Sequence, residues 1–276
     1  MSVQRIAIQG ERGSNSHIAA IQMVGPEVQI VPCGLSAEVV ASLLSGAADA
    51  AVLPIENSLH GAVSEHYDLL LESPLRIDGE GLLRIEHNLI VAPGTSLENV
   101  RTILSHPVAL SQCRRFLANF TSAHALPFYD TAGSVRHVVR EGLKDTAGIA
   151  PRLAAEVYGG EVLLANIEDH AENFTRFHLL RDAGAPAAGP SQPPDKLSVA
   201  FAVEHRPGTL VRALAALAEA GANLTKIESR PVAGRPWEYV FFADMRFEGK
   251  AMAVAVLAAL ARHCSLVKEL GRYTAA

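Results

Sequence analysis

Four short polar segments of this chain carry the residue types that bind anions and handle protons. Gly10–His17 joins two glycines to Ser14, Asn15, Ser16 and His17. Backbone amides at a helix start favour negative charge, so this loop suits an anion, although Ser14 or Ser16 serves equally well as a helix cap. Pro54–Gly61 places Glu56, Asn57 and Ser58 in succession, able to hold a hydroxyl or carboxylate or simply to close a turn. Asp130–Ser134 puts Thr131 at a helix start, where capping is the plainer reading. Asn173–Phe177 frames the Thr175 hydroxyl and the Arg176 guanidinium with two aromatic rings, Phe174 and Phe177. Arg176 offers a fork for a carboxylate or forms a surface ion pair. Neither the Walker phosphate loop nor GxGxxG is present.

The elements that must position these residues alternate. Strands are expected at Arg5–Gln9, Gln29–Cys33, Ala50–Pro54, Leu89–Ala92, Thr102–Ser105 and Phe177–Leu180. Helices are expected near Ser16–Met23, Ala37–Leu44, Ser64–Leu71, Ala109–Leu117 and Val135–Glu141. That order predicts an α/β region with helices on both faces of mostly parallel sheets, in which ligands sit beyond the carboxyl ends of strands. All four polar segments follow or open such an element.

Residues 184–195 are rich in proline and glycine, with Pro186, Gly189, Pro190, Pro193 and Pro194, and neither helix nor strand can run through them. We read them as a linker between a region of residues 1–183 and a domain of residues 196–276. Beyond the linker, Leu197, Val199, Phe201 and Val203 alternate as in a half-buried strand, and Leu210, Ala213, Leu214, Leu217 and Ala218 form one helical stripe. Two strands, around Asn223–Ser229 and Trp237–Asp244, are separated by Pro231, Gly234 and Pro236; a second helix and a strand near Leu266–Leu270 follow. The order βαββαβ is that of a ferredoxin-like sandwich.

Composition narrows the class. A formal net charge of -5 argues against nucleic acid as the main partner. No apolar run is long enough for a membrane span, and the start of the chain has no secretory pattern, so a cytoplasmic protein is expected. Cys33, Cys113 and Cys264 lie far apart and outside any CxxC, which leaves no readable disulfide framework or zinc site. No metal or cofactor is expected.

In order and over nearly the whole chain, these segments resemble the prephenate dehydratase family. Gly10–His17 is similar to its N-terminal glycine–hydroxyl motif, and Pro54–Leu70 to its most distinctive run. Ser105–Cys113 is similar to its SHP-AL-QC segment, and Asn173–Phe177 matches N-x-TRF. Pro207–Leu210 and Asn223–Pro231 resemble the regulatory ACT domain of the same enzymes. Asn15 stands where many members carry an aromatic residue, and there is no room before the first strand for the mutase domain of bifunctional relatives.

The resemblance implies a catalytic region of two lobes akin to type II periplasmic binding proteins, followed by an ACT domain. It implies decarboxylative dehydration of prephenate to phenylpyruvate, regulated by phenylalanine, in a homodimer or homotetramer assembled through ACT domains. Arogenate dehydratase and a non-catalytic sensor of the same fold are the alternatives. Thr175 is implied at the leaving hydroxyl, with Arg176, Glu56 and His17 as catalytic or supporting groups. Ser14, Asn15, Ser16, Asn57, Ser58, Thr131 and Phe177 are the implied substrate contacts. Gly208, Thr209, Leu210, Asn223, Leu224, Glu228, Ser229 and Arg230 are the implied effector site; without the resemblance, Gly208 simply starts a helix and Arg230 is a surface residue.

Overall fold

The computed structural model describes residues 3–186, 193–232, 234–235 and 237–276. The chain packs as two units, one of residues 1–62 and 82–177, the other of residues 63–81 and 178–276. Half of the expected linker, including Gly189 and Pro190, lies outside the described residues, as does Pro236.

The first unit holds two lobes. One is built on a sheet ordered Val28–Cys33, Gln4–Gln9, Ala50–Asn57, Phe174–Asp182 and Leu75–Arg84, whose first three strands run parallel. The chain passes between the two units along the last two of these strands. The second lobe has the order Glu161–Leu164, Asn88–Val91, Thr146–Ala150, Thr102–Ser105 and His124–Pro127. It is mixed rather than mostly parallel: Asn88–Val91 pairs antiparallel with both of its neighbours. Its core includes Leu89, Val91, Val100, Ile103, Ala147 and Ile149, all buried. Thr146–Ala150 is buried along its whole length and shows no alternation to read, while the short His124–Pro127 is exposed throughout.

Two expected elements differ. The single helix expected at Ala109–Leu117 is two, Pro107–Ser111 and Arg114–Asn119. The carboxylate of Asp169 accepts the backbone N–H groups of Arg114 and Arg115 at 3.0 Å each, capping a new helix where an old one would otherwise continue. The last strand of the first lobe begins at Phe174, so Thr175 and Phe177 share a face from the outset and Arg176 takes the other.

The second unit contains the sandwich expected after the linker. Its antiparallel sheet is ordered Asn223–Pro231, Tyr239–Arg246, Lys196–Ala202 and Leu266–Tyr273, with the helices Thr209–Glu219 and Gly249–Ala261. Leu197, Val199, Phe201, Leu217, Met245 and Leu260 form its core. Residues 63–81 are integrated with it. Lys268 Nζ donates to the carbonyls of Leu70, Leu71 and Ser73, satisfying the end of the helix Ser64–Glu72. Lys196 pairs with Glu80 at 2.7 Å, both side chains largely buried. Gly271 passes so close to Ile77 that an added Cβ would stand 2.2 Å from its carbonyl oxygen.

That close approach sets a test. Gly271→Ala should lower unfolding stability by about 1–3 kcal/mol through overpacking. Gly34→Ala, whose added carbon meets nothing nearer than a Glu38 oxygen at 3.5 Å, should change it by under about 0.5 kcal/mol. Urea midpoints of the two variants decide it; equal midpoints would mean that the strand and Ile77 part freely.

Candidate functional site

The strand Ala50–Asn57 ends in the Glu56-Asn57-Ser58 run, and Asn173–Phe177 opens the strand beside it. Asn57 is the junction. Its Oδ1 accepts the backbone N–H groups of Leu59 and His60, both at 3.0 Å, so the opposite end of the amide must be the nitrogen. That nitrogen donates to Asn173 Oδ1 at 2.7 Å, Phe174 O at 3.1 Å and Thr175 Oγ1 at 3.0 Å. The Thr175 oxygen is therefore engaged as an acceptor, and its own proton remains to be given away. Thr175 is 8% exposed and Asn173 only 1%, in a setting dry enough for such bonds to be strong. The Asn173 amide nitrogen is buried without a protein partner.

Around this pair the predicted residues divide by role. Arg176 donates to Glu56 at 3.1 Å, an ion pair within the lobe. Ser58 is spent on backbone: its hydroxyl accepts from Phe174 N–H and donates to Glu172 O. Phe177 is 1% exposed, so the ring predicted to touch substrate packs in the interior instead.

The glycine loop and the Thr131 helix also come together, from opposite lobes. Asp130 caps the helix Thr131–Arg140 by accepting Gly133 N–H at 2.7 Å. Burial raises the Asp130 pKa, with the neighbouring Glu11 charge adding to the rise and hydrogen bonds from Gly133 and Glu11 opposing it. Glu11 accepts from Tyr129 at 2.8 Å and from Arg136 at 2.9 Å, closing a three-residue polar bridge between the lobes. Burial and the Glu11 hydrogen bond push the Tyr129 hydroxyl up to about 12, so it stays a donor. Gly13 lies against the helix Arg152–Tyr158, where an added Cβ would sit 2.7 Å from Ala154 Cα. Ser14 is the N-cap of the helix Asn15–Val24, which answers its ambiguity in favour of capping; Ser16 is buried beside it. His17 Nδ1 accepts Gly13 N–H at 3.0 Å, and burial, helped by Arg12, holds its pKa below the ordinary histidine value.

Sequence reasoning passed over the groups that join the lobes. Glu11 lay inside the Gly10–His17 segment without a role, and Tyr129 and Arg136 carried no pattern. His60, Ser111 and Gln112 lay inside quoted motifs without a role, yet His60 Nε2 lies 3.2 Å from Ser111 Oγ and Gln112 Nε2 3.2 Å from His60 Nδ1. Among the described residues no cluster of side chains suits a metal ion.

In the second unit, a cavity of roughly 380 Å³ is lined by residues 203–211 together with Trp237, Glu238, Tyr239 and Phe241. Gly208, Thr209 and Leu210 line it as expected, with Gly208 the left-handed N-cap (φ +81) of the helix Thr209–Glu219. Asn223, Leu224, Glu228, Ser229 and Arg230 do not line it. Arg230 instead pairs with Asp68 at 2.6 Å, which raises its pKa. The aromatic wall of Trp237, Tyr239 and Phe241 was not anticipated.

Comparison with known proteins agrees with this geometry. A prephenate dehydratase family model matches residues 6–185, and an ACT domain model matches residues 198–250. An Arabidopsis thaliana protein named arogenate dehydratase/prephenate dehydratase 2, chloroplastic, is 37% identical across 98% of this chain and 72% of its own length. The solved prephenate dehydratase of Arthrobacter aurescens in complex with L-Phe is 30% identical, with a TM-score of 0.87 over 98% of this chain and 89% of that one. A structure described as GqqA, a novel type of quorum quenching acylases, is 34% identical, with a TM-score of 0.88 over 99% of this chain and 98% of that one. With Asn57 of the Glu56-Asn57-Ser58 run bonded to Thr175 of the N-x-TRF segment, and a βαββαβ domain behind them, this chain belongs to the prephenate dehydratase family.

Proposed function

We propose that the chain catalyses the decarboxylative dehydration of prephenate to phenylpyruvate, as a carbon–oxygen lyase. The observation that carries the reading is the hydrogen bond from Asn57 Nδ2 to Thr175 Oγ1 at 3.0 Å. In this reaction the bond to the ring carboxylate breaks, its electron pair enters the ring, and the 4-hydroxyl leaves. Carbon dioxide departs, and the hydroxide takes up a proton to become water. A threonine hydroxyl does not titrate near neutrality and is a poor free acid. With its oxygen accepting from Asn57, it is a fixed donor aimed at charge as that charge develops, a role worth about 3 kcal/mol.

Arg176 supports rather than grips the departing carboxylate. A strong salt bridge there would stabilise the ground state more than the transition state, and Glu56 already engages the guanidinium. His17 supports the glycine loop through Gly13. In this reading Ser14, Asn15, Ser16 and Thr131 supply neutral donors for the substrate's other oxygens. Residues 1–183 form the catalytic region, residues 184–195 the linker and residues 196–276 the regulatory domain in this reading.

The acylase described for one neighbour calls for an activated nucleophile. Ser111 beside His60 is the pairing that invites it, but the Ser111 hydroxyl donates to Val108 O at 2.7 Å, away from the imidazole. The dehydratase reading is therefore preferred over acyl transfer. We infer further that phenylalanine occupies the cavity beside Gly208, whose aromatic wall suits a phenyl ring. Two copies would pair through the ACT domain, whose edge strand Asn223–Pro231 alternates exposed and half-buried residues. A cytoplasmic site fits Cys33, Cys113 and Cys264, all free thiols, and among the described residues no helix is long and apolar enough to cross a membrane.

Thr175→Ala should lower kcat by about 10²- to 10³-fold, while Thr175→Ser keeps most of it. Phenylpyruvate absorbance with prephenate, run beside an assay of phenylalanine formed from arogenate, measures this and the substrate preference together. Activity of Thr175→Ala within threefold of the parent would remove the hydroxyl from the chemistry.

Trp237 is the chain's single tryptophan and is 74% exposed. Phenylalanine should change its fluorescence saturably and change turnover over the same range; no response in either would dismiss the effector.

For His17 the folded pKa lies below the unfolded value of about 6.5. Between those two values the unfolded chain holds a proton that the folded chain does not. Stability therefore rises with pH across that window and is lost on acidification. His87 shifts in the same direction. His17→Gln should flatten part of the loss seen in urea midpoints as the pH falls below about 6.5; an unchanged slope would mean that His17 is not held neutral.

A further inference from the structure

His60 stands at the far side of the Asn57 turn and reaches from one lobe to the other within the first unit. Its backbone N–H, with that of Leu59, fixes the Asn57 carboxamide. Its ring meets two side chains of the second lobe, Ser111 and Gln112.

The protons on this set can be assigned by following donors and acceptors. His87 is 2% exposed, and its Nε2 lies 2.7 Å from Gln112 Oε1. An amide oxygen only accepts, so Nε2 of His87 carries the proton, and burial keeps the ring neutral by lowering its pKa. The Gln112 amide is thereby oriented with its nitrogen toward His60 Nδ1, at 3.2 Å. An amide nitrogen only donates, so Nδ1 accepts and the His60 proton sits on Nε2, 3.2 Å from Ser111 Oγ. Ser111 passes its own proton to Val108 O at 2.7 Å. Each of these links has one donor and one acceptor. In this assignment the 3.3 Å approach of His60 Nδ1 to Asn57 Oδ1 is a contact of two acceptors and not a hydrogen bond.

We propose that His60 is a positioning residue for the dehydration, locked by Gln112 and Ser111 of the second lobe so that the Asn57 amide nitrogen stays on the Thr175 hydroxyl. This rests on the dehydratase reading of the Asn57–Thr175 pair and adds to it a partner on the opposite lobe. The ring does not touch the reacting atoms. It clamps the turn whose two N–H groups decide which way Asn57 faces, and it does so only when the second lobe is in place. The threonine donor is thus fully set by the meeting of the lobes.

The experiment measures kcat and KM for prephenate in His60→Ala, Gln112→Met and the double variant, with histidine ¹⁵N spectra of the parent and of Gln112→Glu. A misplaced donor is expected to cost kcat on the order of tenfold to a hundredfold, with KM changed by under about threefold, because uniform binding is untouched. The double variant should be no worse than the poorer single one, since both break one chain. Gln112→Glu keeps the acceptor for His87 but presents an oxygen to His60 Nδ1, so the His60 proton signature should move from Nε2 to Nδ1 or to both nitrogens. His60→Ala with kcat within twofold of the parent, additive losses in the double variant, or a rise in KM alone would overturn the proposal. So would a parent His60 already protonated on Nδ1, a result that stands even if His60→Ala fails to fold. A parent protein inactive on prephenate would instead overturn the reaction assignment, and the two failures are read from different samples.

Discussion

The site depends on the orientation of one carboxamide. Asn57 presents its oxygen to two backbone N–H groups of its own turn, and this leaves its nitrogen as the only group able to face Thr175. Reversing the amide would set Oδ1 against the oxygens of Asn173, Phe174 and Thr175 and leave two backbone donors unmatched. The amide therefore faces Thr175 with its nitrogen. An aspartate could not replace it, because a carboxylate would turn a donor to Thr175 into an acceptor and reverse the direction of the threonine proton. That direction makes the Thr175 oxygen an acceptor from Asn57 and leaves its proton available to donate.

Two carboxylates of the first unit are paired with neighbours in the fold. Glu11 is held by Tyr129 and Arg136; Glu56 is held by Arg176. Both carboxylates are paired within the protein, and the Asn57–Thr175 contact itself is made by an amide and a hydroxyl. This arrangement suits a substrate that arrives with two carboxylates and loses one as a neutral gas. Fixed dipoles can follow the redistribution of charge without the ground-state grip that an unpaired cation would exert.

The four polar segments were legible because they fall where strands end, and the strand Thr102–Ser105 and the βαββαβ order were legible from alternation and helical stripes. What escaped reading has a common physical cause. Thr146–Ala150 is buried on both faces and has no polar side to reveal its period. The break between Pro107–Ser111 and Arg114–Asn119 depends on Asp169, more than fifty residues away. Phe177 sits in a signature segment that draws the eye to substrate, yet its neighbours in space make it core. Glu11, Tyr129, Arg136 and His60 act only through partners that the chain brings near by folding. Spacing along the sequence reports the period of an element, and it is silent on which side chains meet across a lobe boundary.

The path of the chain itself ties the site to the second unit. From Asn57 the backbone reaches residue 63, where the second unit begins, within six residues. From Thr175 it reaches His178 within three. In that unit residues 63–81 are held by Lys268 on the end of their helix, by Arg230 on Asp68 and by Lys196 on Glu80. The Arg230 pair shows what an arginine outside the Gly208 cavity does instead: it holds residues 63–81 through Asp68, within the second unit.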